Sequence, residues 1–403
     1  MVKFAHLADV HLGGWSEPKM TELNDATFAK AIDICIQEAV DFVIVAGDLF
    51  NTSFPGVERL KTAIEKFRLL QKQGIRVYYI AGSHDFSPSG KTMLDVIEKA
   101  GLGVNVARGM VNGAGELKLH FTQDLPTGVK ITGIVGKKGM LDTQYYEVLE
   151  RESLEREPGF KIFCLHTALT ELKPEGYEEM DAAPLSLLPK GFNYYAAGHV
   201  HVRQVRDFPD YGKVVFPGPL FPNNFKELET GLGGFYIYNN GDLQFRSVAL
   251  AQVFSLQIDC QDKVPAQVLQ EVYAAVGARD LANTIVLFRL SGTLLSGKVS
   301  DIKFNELFHK IYEEHHALHV MKNIAKLSSR EFEQITVSSG SLEEIEHALL
   351  QNHLGQAQYR HLPEHEIVQG LMRTFEAEKK EGETVQGYEE RLKREIDTIL
   401  KLE

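Results

Sequence analysis

Between residues 2 and 201, apolar runs of strand length stop five times at a short phrase rich in Asp or His. Residues 2–8 run into Asp9-Val10-His11, and 42–46 into Gly47-Asp48. Residues 76–81 run into Gly82-Ser83-His84-Asp85, 162–165 into His166, and 194–197 into Gly198-His199-Val200-His201. A continuous apolar run bounded by turn residues is how a strand covered on both faces reads. Between these runs the period becomes helical. Residues 24–39 place Ala26, Phe28, Ala31, Ile32, Cys35 and Ala39 roughly on one stripe, and a second helix is predicted over 57–72. Further strands are predicted at 130–135, 213–216 and 233–238. Alternation of this kind predicts an α/β layered core. Ligands in open α/β sheets sit at the carboxyl edge of the strands. The five phrases are therefore expected to converge on one crevice.

The chemistry of that crevice follows from its donors. Carboxylate and imidazole together suit Mn²⁺, Fe²⁺ or Zn²⁺ better than Mg²⁺ or Ca²⁺, which prefer all-oxygen shells. Seven or eight candidate ligands oversupply a single ion. Two ions ~3.5–4 Å apart, sharing one carboxylate, use the set economically, lower the pKa of a shared water and clamp phosphoryl oxygens. Each phrase alone is weak, because Asp-x-His and Gly-Asp end many strands without chemistry. The ordered series is specific, and it points to hydrolysis of a phosphate ester.

That series resembles the calcineurin-like metallophosphoesterase superfamily. The phrases FAHLADVHLG, VAGDLFN, YIAGSHD and YYAAGHVH are similar to its DNA-repair branch, the Mre-eleven / SbcD nuclease family. The motifs cover residues 1 to about 240; beyond them the likeness is architectural. The resemblance implies a layered metallophosphoesterase sandwich, a small α+β capping domain and a C-terminal helical pair. It implies two Mn²⁺ per subunit, with Asp9, His11 and His201 on the first, Asp48 bridging, and Ser83, His166 and His199 on the second. His84 becomes the general acid that protonates the leaving oxygen, with Asp85 orienting its ring. The implied activity is Mn-dependent 3′–5′ exonuclease and single-strand endonuclease action in double-strand-break repair. The implied partners are DNA ends and single strands, a second copy of the chain, and a Rad-fifty / SbcC-type ATPase gripped by the C-terminal helices. Two positions depart from the family pattern. Ser83 stands where Asn is common, and Asn51 where many members carry a His linked to substrate positioning. Action on nucleotides or phosphoproteins, or a catalytically weak tethering role, are the alternatives.

The rest of the chain sets bounds. Four segments are expected: 1–250 for the phosphoesterase, 251–330 for the cap, 331–360 as a linker of uncertain structure, and 361–403 for the helices. Within the cap, strands are predicted at 253–260, 284–290 and 316–326, with helices at 264–276 and 301–314. One helix is predicted near 341–350. Ile367, Leu371 and Phe375 form one C-terminal stripe, and Tyr388, Leu392, Ile396, Ile399 and Leu400 another, with Gly382 between. Helices this short cannot bury their faces alone and are expected to dock. Cys35, Cys164 and Cys260 lie in apolar runs and read as buried free thiols. No signal core or ~18-residue apolar span is seen, so a cytoplasmic, nucleoid-associated protein with no membrane role is expected. With 43 Lys+Arg against 55 Asp+Glu the net charge is −12, which requires local positive charge for any nucleic-acid contact. Lys137, Lys138, Arg203, Arg206, Lys213 and Lys226 are the candidates for backbone phosphate, and Tyr211, Phe221 and Phe225 for base stacking, although core packing accounts for these rings as well. His309, His315, His316 and His319 read as a solvated helix end.

Overall fold

The computed structural model describes residues 2–87, 92–137, 141–174, 177, 179–277, 279–330, 364–377 and 385–400. They fall into two compact units, Met1–Ser328 and Ser329–Glu403. The expected helix near 341–350, Gly382 and Lys138 lie outside the described residues.

The first unit is built on two six-stranded sheets. One runs Asp242–Ser247, Gly234–Asn239, Lys3–Leu7, Phe42–Ala46, Arg76–Ile80, Val104–Asn105. The other runs Gln204–Phe208, Tyr211–Phe216, Tyr194–Gly198, Lys161–His166, Lys130–Gly133, Thr122–Gln123. The inner strands of each are parallel, and antiparallel strands close the edges. Strand alternation explains why both faces are apolar. Phe4, Phe42, Ile44, Tyr78 and Ile80 meet Ile131, Ile162, Cys164, Tyr194 and Val215 in the layer between the sheets. Their neighbours Ala5, Leu7, Val43 and Val45 face outward onto Phe28, Ala31, Ile32, Phe67 and Leu70 of helices Pro18–Gln37 and Val57–Lys72. Phe163, Leu165, Tyr195 and Val214 form the outer core of the second sheet. The chain is therefore the layered α/β sandwich its periodicity predicts.

Two sequence expectations need adjustment. The first helix starts at Pro18, six residues before the apolar stripe, because the Glu17 carboxylate caps it by accepting from Met20 N–H at 2.9 Å. Strands Val104–Asn105, Gly109–Val111, Leu117–Leu119 and Thr122–Gln123 were not expected; at two or three residues they are too short to carry a period.

After residue 250 a three-stranded sheet, Gln252–Asp259, Thr284–Leu294 and His319–Ser329, packs with helices Pro265–Val276 and Phe304–His315 around its own core. It is fastened to the sandwich by a small cluster of Met20, Phe221 and Leu228 with Ile285 and Leu287, and by the Arg289–Glu229 ion pair at 2.5 Å. In the second unit, helices Glu364–Glu376 and Val385–Ile399 pair through contacts such as Tyr388 Oη donating to the Ala377 carbonyl at 3.0 Å. Their stripes are only half covered: Leu392, Ile396 and Ile399 remain part-exposed, and Phe375 is 65% exposed. No helix among the described residues is long and apolar enough to cross a membrane.

Candidate metal centre

Strand ends from both sheets position the site. Asp9 and His11 follow Lys3–Leu7, Asp48 follows Phe42–Ala46, and the 82–85 loop follows Arg76–Ile80 in the first sheet. His166 closes Lys161–His166 and His199 follows Tyr194–Gly198 in the second. Register aligns these ends, with Leu7 beside Val45, Ala46 beside Ile80 and Gly198 beside His166. Asp9, His11, Asp48 and His199 all adopt positive φ, between 47° and 86°. Non-glycine residues pay for such conformations with strain and hold them where the surroundings fix them, commonly at functional sites.

The donors converge. His166 Nε2 is 3.2 Å from Asp48 Oδ2 and 4.0 Å from Asp9 Oδ1. His11 Nε2 is 3.6 Å from Asp48 Oδ2 and 3.2 Å from His201 Nε2, which lies 3.7 Å from Asp9 Oδ1. Among the described residues three sets have ligand atoms within 4.8 Å of one another: Asp9–His11–His201, Asp9–Asp48–His166 and His11–Asp48–His84. Backbone glycines make the approach possible. A Cβ on Gly82 would lie 2.3 Å from Asp48 Oδ1, and one on Gly47, already at φ 90°, would lie 2.2 Å from His166 Nδ1.

The residues fit divalent cations. Asp9 and Asp48 are almost completely buried, and among the described residues their ion-pair partners are histidines alone. His166 Nε2 is buried without a hydrogen-bond partner, while its Nδ1 is tied to the Ala46 carbonyl at 2.8 Å. A histidine fixed through one ring nitrogen offers the other as a ligand. Burial lowers His11 to about 3 and His199 to about 4, keeping both rings neutral at physiological pH. Burial alone would push Asp48 up, but His166 and His11 outweigh it and hold the carboxylate ionised. Burial opposes charge on His166 as well, and the Asp48 carboxylate overcomes it, pushing the imidazole up to about 10. With protein groups alone, the site draws positive charge into its centre.

Several groups behave differently from the sequence reading. Asp85 does not orient His84. Its carboxylate accepts backbone N–H groups from Phe50 at 2.9 Å and from Leu49 and Gly82 at 3.1 Å, bracing two site loops. The His84 ring is held instead through Nδ1 by the Asn51 carbonyl at 2.8 Å. The departure at position 51 therefore still contributes, through its backbone. Glu227 was missed: its Oε1 accepts from His201 Nδ1 at 2.9 Å, orienting a ligand ring. It stands 26 residues from its partner on the short helix Phe225–Thr230, with no motif to flag it. His199 donates its backbone N–H to Asp9 Oδ1 at 2.9 Å, and its ring lies edge-on to His166 with centroids 5.3 Å apart. Ser83 is buried on the 82–85 loop.

The remaining candidates separate cleanly. Phe221 is buried, Phe225 packs on the Arg289 guanidinium, and Tyr211 packs on Tyr195, so these rings are structural. Lys213 pairs with Asp207, and Lys137 donates to Tyr145 Oη. Among the described residues no ligand-competent set includes His309, His315, His316 or His319. All three cysteines are buried and free.

A family model for calcineurin-like phosphoesterases matches residues 2–203, which carry eight of the twelve strands of the two sheets and every strand-end candidate ligand. The chain belongs to that family. Among its relatives, the DNA double-strand break repair protein Mre11 of Archaeoglobus fulgidus is 24% identical over 377 residues, covering 86% of this chain and 82% of that protein. Its Methanococcus maripaludis counterpart is 25% identical over 367 residues, 87% of this chain and 91% of that one. An uncharacterised metallophosphoesterase of Bacillus subtilis, YhaO, is 28% identical over 257 residues, 60% of this chain and 59% of its own length. The first two alignments extend well past the phosphoesterase core.

Proposed function

We propose that this chain is the nuclease subunit of a DNA double-strand-break repair complex. The observation that carries the reading is the meeting of Asp9, His11, Asp48, His166 and His201 where the carboxyl ends of strands from both sheets come together, with half-exposed His84 beside them. Likeness to Mre11 proteins along most of their length supports the substrate, since their names tie them to break repair. In this reading Asp9, His11 and His201 would hold one Mn²⁺, and His166, His199 and Ser83 the second, with Asp48 as the shared ligand. Ions there would lower the pKa of a bound water toward ~7 and neutralise phosphoryl oxygens. The protein's own groups do the rest. The carbonyl of Asn51 accepts from His84 Nδ1 and fixes the ring with Nε2 free, so that the ring protonated at both nitrogens can deliver the Nε2 proton to the departing 3′-oxygen. Glu227 keeps His201 facing inward. His84→Ser is expected to cut Mn²⁺-dependent degradation of DNA ends by about 10²–10⁴-fold while metal content stays the same. Unchanged cleavage would remove the general-acid assignment; turnover of phosphomonoesters with none of DNA would favour the nucleotide reading.

The same proposal assigns the 251–330 segment to steering DNA, the part-exposed C-terminal stripes to the coiled-coil base of a Rad-fifty / SbcC-type ATPase, and a homodimer to the phosphoesterase. A chain ending at residue 360 should retain its metal and fail to co-elute with such an ATPase on gel filtration. Co-elution of the shortened chain would show that the helices are not the grip.

A further inference from the structure

A cleft of about 520 Å³ opens directly beside the metal centre, sharing His201 and Glu227 with it. Arg203 and Lys226 also line it, with the rings of Tyr177 and Phe245. The Arg203 guanidinium lies 4.3 Å from the centre of the Phe245 ring. The Lys226 ammonium lies 4.2 Å from the centre of the Tyr177 ring and donates to its hydroxyl at 2.9 Å. Neither cation pairs with a carboxylate among the described residues. Several cations elsewhere on the surface do, as in Lys190–Asp210, Lys213–Asp207, Arg246–Glu38 and Arg289–Glu229. Among the described residues of the cleft wall the one carboxylate, Glu227, is already committed. Its Oε1 faces His201 and its Oε2 accepts the Asn223 N–H at 2.8 Å. In a chain of net charge −12, two cations without carboxylate partners in one cleft offer a place for an anion.

Aromatic faces suit that task, because they hold a cation in place without consuming its hydrogen-bond donors. A guanidinium can then engage phosphate oxygens through two parallel N–H bonds, and an ammonium can add a point charge. We infer that this cleft binds a phosphate of the substrate strand next to the one being cleaved. It would thereby select a phosphodiester polymer over a lone phosphate ester. This rests on the phosphoesterase reading of the neighbouring centre and specifies its substrate class.

The test compares the full-length protein with an Arg203→Ala/Lys226→Ala double variant. Equilibrium binding of a fluorescent single-stranded oligonucleotide is measured in EDTA, so that nothing is cleaved, across a salt series. Loss of two phosphate contacts should weaken binding about tenfold or more and flatten the slope of log K against log salt by about 1.4. Arg203→Lys/Lys226→Arg, which keeps both charges, should restore most of the slope. With Mn²⁺, the ratio of kcat/KM for the oligonucleotide to that for bis(p-nitrophenyl) phosphate, which has one phosphate, should fall by a similar factor. Identical salt slopes for wild type and double variant would overturn the inference while leaving the phosphodiesterase intact. An equal loss on both substrates would overturn it too, by showing damage to the centre rather than a subsite. Failure of the wild type on both substrates would instead remove the underlying reading, and this inference with it.

Discussion

Asp48→Asn is expected to empty the centre and reduce phosphodiester hydrolysis on the order of 10³-fold or more. The substitution keeps the side chain's shape and deletes its charge. Asp48 Oδ2 stands within 3.6 Å of two imidazole Nε2 atoms, and its Oδ1 accepts the His84 N–H at 2.7 Å. An amide carbonyl can still serve His84, so the loop should hold. It cannot supply the anionic oxygen shared between two of the ligand-competent sets. Metal-assisted transition-state stabilisation amounts to several kcal/mol, and each ~1.4 kcal/mol is tenfold in rate. The checks are metal content by plasma mass spectrometry, circular dichroism for the fold, and turnover in Mn²⁺. A folded variant with full metal content and more than about a tenth of wild-type turnover would refute the assignment of Asp48 as the shared ligand.

The second large effect concerns stability and lies away from the site. The Asp124 carboxylate is fully buried. It accepts from Arg76 Nε at 2.8 Å and Nη2 at 2.9 Å, from Tyr78 Oη at 2.8 Å and from Thr127 Oγ1 at 2.5 Å. It joins the Arg76–Ile80 strand to the Thr122–Gln123 edge of the other sheet, so it ties the two layers together. Asp124→Asn should cost about 2–4 kcal/mol, because charge-assisted hydrogen bonds are lost and buried donors are left without an anion. The pH dependence has a definite sign. Burial pushes this carboxyl up, yet the Arg76 fork with Thr127 and Tyr78 outweighs burial and holds it below the ordinary value of 3.8. Its contribution is therefore complete above about pH 4 and is lost as pH falls further, through the folded-state value. The stability gap between wild type and Asp124→Asn should be constant near neutrality and close in acid. Urea denaturation at pH 7 and at pH 3 measures it, and a gap that persists unchanged at pH 3 would contradict the charged network.

What was legible in the sequence was local. Continuous apolar runs mark strands covered on both faces, and residues 42–46 and 194–198 needed nothing else, since the sandwich buries them completely. The strand-end phrases were legible for the same reason: a polar residue that abruptly follows a two-sided apolar run must leave the core at a sheet edge. The contacts decided by tertiary structure are those no periodicity encodes. Glu227 meets His201 because the Phe225–Thr230 helix happens to pass the second sheet's carboxyl edge. Asp85 turned from the His84 ring to three backbone N–H groups because loops from neighbouring strands close around it, leaving the ring to the Asn51 carbonyl. The sequence by itself determined which residues are candidate ligands in kind and which strands carry them. Only the packing of two sheets decided which atoms face one another, because hydrogen-bond partners and shared charge depend on separations of a few ångströms between segments from 26 to 190 residues apart.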